Sequence, residues 1–131
     1  MNPPNLFVTA PTRTTLNRYR NPSTGDHASG TSGPFGYALE GSFGTVNTSA
    51  GGNTHAIYQC LVGGRDFMTS ISANCEGTQF RGLIGYLYDS PPGPENTPVR
   101  RCRIAANGEH FDSPTANCEG HIVETILGYS T

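Results

Sequence analysis

The sequence predicts an all-β fold, and three observations carry that expectation. Only 34 % of the 131 residues are hydrophobic and none is Trp, while 17 are Gly and 10 are Pro, a composition of many short strands divided by many turns. Much of the chain is also written twice. Gly64-Arg65-Asp66-Phe67 is answered by Gly108-Glu109-His110-Phe111, and Ser72-Ala73-Asn74-Cys75-Glu76-Gly77 by Thr115-Ala116-Asn117-Cys118-Glu119-Gly120. Leu83-Ile84-Gly85-Tyr86 is answered by Ile126-Leu127-Gly128-Tyr129. A third, more diverged copy lies upstream, where Tyr19 to His27 aligns without a gap on Cys102 to His110. In that copy Ala38-Leu39-Glu40-Gly41 stands for Ala-Asn-Cys-Glu-Gly, with Leu39 in the cysteine's place. The anchors Tyr19, Cys60 and Cys102 fall 41 and 42 residues apart, the fixed period that marks a repeat architecture.

Taken in order, Leu6–Thr9 reads as a short strand and Pro11-Thr12-Arg13-Thr14 as a turn. Leu16–Arg20 is the next strand, and Asn21-Pro22-Ser23-Thr24-Gly25 turns because Pro fixes φ and Gly accepts positive φ. Asp26-His27 opens a second strand; Tyr37–Gly41 and Ser42–Val46 are two weaker ones, and residues 47–54 form a polar loop that begins with the sequon Asn47-Thr48-Ser49. The second copy gives strands at Ala56–Val62 and Arg65–Ile71 about the Gly63-Gly64 turn, then a turn at Ser72–Gly77. Gln79–Leu87 supplies one or two more, interrupted at Gly82 and Gly85. Pro91-Pro92-Gly93-Pro94 is a connection, since Pro cannot donate into a sheet ladder.

Four short strands per unit and three units of about 40 residues give twelve strands, hence a β-trefoil with three pseudo-symmetric repeats in a single domain, 1–131. The repeats run over about 16–55, 56–97 and 98–131, with 1–15 completing the closure. One such unit cannot bury both its faces; three closed on one another can. The Leu/Ile-Gly-Tyr positions, Phe67 and Phe111 are the expected core.

Cysteine occurs in pairs, Cys60 with Cys75 and Cys102 with Cys118, and the first copy lacks both members. That paired loss makes the two intra-repeat disulfides the simplest of three connectivities. Neither a Cys-x-x-Cys knuckle nor a His pair accompanies them, so no metal is expected. Disulfides favour an oxidising compartment and a secreted chain. No apolar run reaches the roughly 20 residues of a membrane span, and Met1-Asn2-Pro3-Pro4 does not open a signal peptide. All eight basic residues are Arg, and only Arg100-Arg101-Cys102-Arg103 is dense. Alternation along a strand splits that run between two faces, so no nucleic acid partner is expected.

Each unit places a polar pair directly after a glycine turn: Asp26-His27, Arg65-Asp66 and Glu109-His110. Such side chains beside exposed loop backbone hold vicinal sugar hydroxyls, and Asn74 and Asn117 add a donor and an acceptor apiece. Tyr37, Tyr58 and Tyr88 are candidates for covering a pyranose face. The same residues equally suit turn stabilisation, and for Asn-Cys-Glu-Gly that structural role has the stronger case. No nucleophile elbow, His-Glu-x-x-His helix or phosphate-cradling loop is present, so neither an enzyme nor a cofactor is expected.

Arg18 to His27 resembles the Tyr-Arg-x-Tyr-Asn-Pro-x-Thr-Gly-Asp-His-Phe-Tyr-Thr repeats of secreted bacterial and fungal proteins, and Tyr37-Ala38-Leu39-Glu40-Gly41 is similar to their later Tyr-x-Glu-Gly segment. Ala28 replaces their Phe, and Asp66 replaces their His in the second unit. The resemblance implies a secreted accessory or binding module with a trefoil-like fold. More distantly, the architecture is similar to that of ricin-B-type lectins, without their Gln-x-Trp signature. The sequence therefore predicts a non-catalytic, lectin-like module for glycans or glycoproteins, with up to three related sites. The alternative is a trefoil protease inhibitor acting through Pro91-Pro92-Gly93-Pro94-Glu95-Asn96.

Overall fold

A computed structural model describes residues 12–131. It contains strands β1 (Arg13–Arg20), β2 (His27–Gly30), β3 (Ala38–Asn47), β4 (Thr54–Val62), β5 (Asp66–Ser70), β6 (Gln79–Tyr88), β7 (Thr97–Arg103), β8 (His110–Ser113) and β9 (Ile122–Ser130), with 3₁₀ turns at Cys75–Gly77 and Cys118–Gly120. The fold is all-β. The strand expected at Leu6–Thr9 lies outside the described residues, and Arg13 and Thr14, expected in a turn, begin β1.

One pairing scheme occurs three times. A central strand (β1, β4 or β7) is flanked by a short hairpin partner (β2, β5 or β8) and by a long third strand (β3, β6 or β9), all antiparallel. The long strands meet end to end: Asn47 pairs with Tyr86, Tyr88 with Tyr129, and the Thr45 N–H donates to the Thr131 carbonyl at 2.9 Å. The three units thereby close on one another.

Nine strands among the described residues replace the twelve expected. The two weak strands of each second half are one continuous strand, because bulges absorb the extra residues that the sequence pattern reads as breaks. Register shifts fall between Ile57 and Tyr58 and between Gln59 and Cys60, and at the matching places in the other two units. Gly82 and Gly85 lie within β6 rather than ending it.

The main core is built from Leu16, Ile57 and Val99, three residues ahead of the anchors on the three central strands, together with Phe43, Val46, Leu87 and Leu127. Each aliphatic side chain taken out of water contributes about 1.5–3 kcal/mol. Leu127 of the Leu-Gly-Tyr motif is buried and Ile84 packs against the same cluster, as expected. Two smaller clusters surround the disulfides Cys60–Cys75 and Cys102–Cys118, both formed in the expected pairing with Cα atoms 5.7 Å apart. These bonds fit an extracellular or otherwise oxidising environment.

Two expected equivalences are displaced. Met68 pairs with Cys60 and Phe111 with Cys102, so Met68 occupies the place of Phe111. The second hairpin is one residue shorter, which turns half-buried Phe67 toward the hairpin tip instead of the core. Leu39 does not replace a cysteine either. It pairs with Tyr19 as Phe80 pairs with Cys60 and Val123 with Cys102, and it is 64 % exposed. Glu40 accordingly matches Glu124 at a bulge, not Glu76 or Glu119. The first unit has no 3₁₀ turn; Gly33 lies so close to the Tyr19 ring that a Cβ there would come within 2.8 Å of it. The sequon asparagine Asn47 is 5 % exposed and paired within the sheet.

The seams between units demand glycine. A Cβ on Gly85 would lie 2.8 Å from Val46 Cγ2 and 3.0 Å from the Asn47 carbonyl, and one on Gly128 would lie 2.7 Å from Leu87 Cβ. Gly41, on the exposed half of β3, meets nothing within 4 Å. Gly85→Ala is therefore expected to lower the free energy of unfolding by about 1–3 kcal/mol in urea titration, the cost of an overpacked core. Gly41→Ala stays within about 0.5 kcal/mol of the parent, as surface substitutions do.

Candidate functional site

The short strands β2, β5 and β8 pack together, and each contributes one polar residue to their junction. Ser29 and Thr69 hydroxyls both donate to Asp112 Oδ2, at 2.6 and 2.5 Å. Asp112 is buried and its Oδ1 has no hydrogen-bond partner; burial pushes its pKa up, because a low-dielectric site disfavours the charged form. The backbone carbonyls of the same three residues are also taken. Arg18 Nη1 donates to the Asp112 carbonyl at 3.0 Å, Arg101 Nη1 to that of Thr69 at 3.1 Å and Gln59 Nε2 to that of Ser29 at 3.1 Å. Each of these bonds crosses from one unit to the next.

A carboxylate stands at the entry of each short strand: Asp26 and Glu109 one residue before β2 and β8, and Asp66 as the first residue of β5. Glu109 Oε1 accepts the His27 backbone N–H at 3.1 Å, and Asp66 Oδ1 accepts that of His110 at 3.0 Å. The Phe67 amide faces Asp26 in the same sense and favours its charged form, without meeting hydrogen-bond geometry. His27 sits with Nδ1 3.3 Å from Glu109 Oε1 and Nε2 3.4 Å from Glu40 Oε1. His110 sits with Nδ1 2.7 Å from Asp66 Oδ2 and Nε2 3.3 Å from Glu124 Oε1. Neither His27 nor His110 pairs with the carboxylate before it in sequence, as strand alternation requires; each histidine meets one from another unit, Glu109 and Asp66 respectively.

The three hairpin tips converge on an open cavity of about 720 Å³, within the roughly 300–1,000 Å³ of small-molecule sites. Asp26, Arg65, Asp66 and Glu109 line it, together with Tyr37 and Phe67, whose rings meet edge to face at 5.6 Å. Asn21, Thr24 and Asn107 contribute neutral polar groups. The Tyr37 hydroxyl donates to Asp26 Oδ2 at 2.5 Å, and Asp26 Oδ1 is buried without a partner. Burial raises the Asp26 pKa to about 7, with the neighbouring Glu109 and Asp66 charges adding to the rise and the Tyr37 hydrogen bond opposing it.

Of the residues expected at a sugar site, Asp26, Arg65, Asp66 and Glu109 come together on this cavity. His27 and His110 pack beneath its rim between carboxylates. Asn74 and Asn117 lie elsewhere: each side chain accepts an N–H of its own 3₁₀ turn, from Glu76 at 3.0 Å and from Glu119 at 3.1 Å. Among the candidate aromatics, Tyr37 lines the cavity, Tyr58 packs against Phe80 at 5.9 Å, and Tyr88 lies in β6, paired with Tyr129 of β9. Phe67, expected in the core, lines the cavity instead; Asn21, Thr24 and Asn107 carry no sequence signal for a site beyond the turn chemistry of Asn21-Pro22-Ser23-Thr24-Gly25 and Asn107-Gly108. Among the described residues no group of three or more His, Cys, Asp and Glu side chains is placed to hold a metal ion. No family model, curated protein or solved structure matches the chain.

Two of the shifted groups, Asp26 and His110, give a pH signature. The folded protein keeps the Asp26 proton where the unfolded chain, with a value near 3.8, has lost it. Stability is therefore greatest at the acid end of that window and falls as pH rises toward 7. Denaturant midpoints of Asp26→Asn are expected to lack this slope. The hydrogen bond that His110 donates to Asp66 raises the His110 pKa above 6.5, so its contribution is full below that value and is lost as pH climbs through the raised one. Asp66→Asn should move the His110 imidazole titration, followed by NMR, to lower pH.

Proposed function

We propose that this protein is a secreted, non-catalytic carbohydrate-binding module, and that its binding surface is the cavity at the three hairpin tips. The observation that carries this reading is convergence. Carboxylates, a guanidinium and neutral amides from all three units surround one opening, beside an aromatic corner made by Tyr37 and Phe67. Carboxylate and amide groups bind vicinal hydroxyls through paired hydrogen bonds, and a ring face covers the apolar side of a pyranose. The expectation of up to three sites narrows here to one composite site. The finer architecture belongs to the same proposal: a β-trefoil descended from one unit present in three copies, with closed seams and one pairing scheme in every unit in its favour.

A second reading keeps one observation of its own. Residues 89–95 are exposed throughout, and Asn96 Nδ2 braces their loop through the Gly93 carbonyl at 2.8 Å, as a rigid inhibitory loop requires. A glycan array separates the two. The sugar reading expects glycan hits that Arg65→Ala weakens about three- to tenfold, the worth of one hydrogen bond, with the melting temperature unchanged. An array without hits, together with protease inhibition lost on replacing residues 91–96, would overturn it.

A further inference from the structure

The charges around the cavity are unequal, and one of them is unanswered. Three carboxylates, Asp26, Asp66 and Glu109, face a single cation, Arg65. Asp66 and Glu109 are answered by backbone amides and imidazoles. Asp26 is answered by neither in hydrogen-bond geometry: the Phe67 amide only faces it, its residue is 6 % exposed, Tyr37 satisfies only Oδ2, and Oδ1 has no partner. A carboxylate buried with one bare oxygen costs free energy unless something positive approaches it. Beside it, Tyr37 and Phe67 stand at 88° to each other, and the π-faces of such rings attract an ammonium group.

We propose that the cavity selects a sugar bearing a free ammonium group, a hexosamine rather than a neutral hexose. This rests on the carbohydrate reading and deepens it. The amine sits over the Tyr37–Phe67 corner beside the Asp66 and Glu109 carboxylates, where its charge also favours the ionised form of Asp26, and the hydroxyls reach Arg65, Asn21 and Asn107. Because Asp26 Oδ1 is covered, the amine is held by the field of these carboxylates rather than by a direct bond to this oxygen. Burial raises the free energy of the Asp26 charge, and a cation placed above it lowers that energy again. Acetylation of the amine removes the charge and with it the advantage.

The test is isothermal titration of the intact protein with glucosamine, glucose, N-acetylglucosamine and methylammonium. Glucosamine is expected to bind about tenfold more tightly than glucose or N-acetylglucosamine, the scale of a partly desolvated cation–π and carboxylate contact, and to lose that margin in high salt. Asp26→Asn lowers the ratio of glucosamine to glucose affinity. Arg65→Gln, at an exposed position, raises it, whatever it does to both affinities. Equal affinity for glucosamine and glucose would overturn this inference and leave the carbohydrate reading standing. Methylammonium binding without any sugar binding would keep the cation preference and end the carbohydrate reading. Silence from all four ligands would end both.

Discussion

Arg18, Gln59 and Arg101 occupy one position in the three units, and each reaches across a seam to a backbone carbonyl of its neighbour. Without those donors the carbonyls of Asp112, Ser29 and Thr69 would be buried with no partner from the adjoining unit. Unsatisfied backbone groups are expensive, at about 1–3 kcal/mol each. The reach is also what sets the short strands side by side, and it is the short strands that aim the hairpin tips at one point. The candidate site is thus a consequence of the seams.

The disulfides serve the same seams. In each 3₁₀ turn the cysteine and the glutamate after it take left-handed backbone, with φ of 55° and 56° at Cys75 and Glu76 and 53° and 57° at Cys118 and Glu119. Such conformations cost residues other than glycine about 1–2 kcal/mol, and a cross-link closing a 15-residue loop, worth about 3 kcal/mol in the chain-entropy account, holds them in place. The turn delivers Glu76 to Arg101 at 2.6 Å and Glu119 to Arg18 at 2.6 Å. The first unit has neither cross-link nor turn, so no carboxylate arrives there. At that seam the donor is the neutral Gln59 instead of Arg. The absence of cysteines in the first unit and the presence of glutamine rather than arginine at its seam are two parts of one local solution.

Much of this was legible in the sequence. Composition gave the all-β class, the paired cysteines gave the cross-links, and glycine turns marked the hairpins correctly. The failures share a cause. Matching Phe67 to Phe111, or Leu39 to a cysteine, compares letters, whereas equivalence in a sheet is set by pairing, and a hairpin one residue shorter shifts every side chain after it. Bulges hid the continuity of β3, β6 and β9 for the same reason. Asn74 and Asn117 repeat because the 3₁₀ turn repeats. The meeting of three tips on one cavity depends on closure of the whole molecule, which no local spacing records.

The burial of Asn47 carries a consequence for production of the protein. In a host that attaches oligosaccharides to nascent chains, the transferase must reach this amide before β3 pairs with β6. An N-linked chain at that position would then report which came first, enzyme or sheet. Once attached, it would wedge open the junction between the first and second units. Folded, unmodified material and modified, open-seamed material should separate as two populations, distinguished by mass alone.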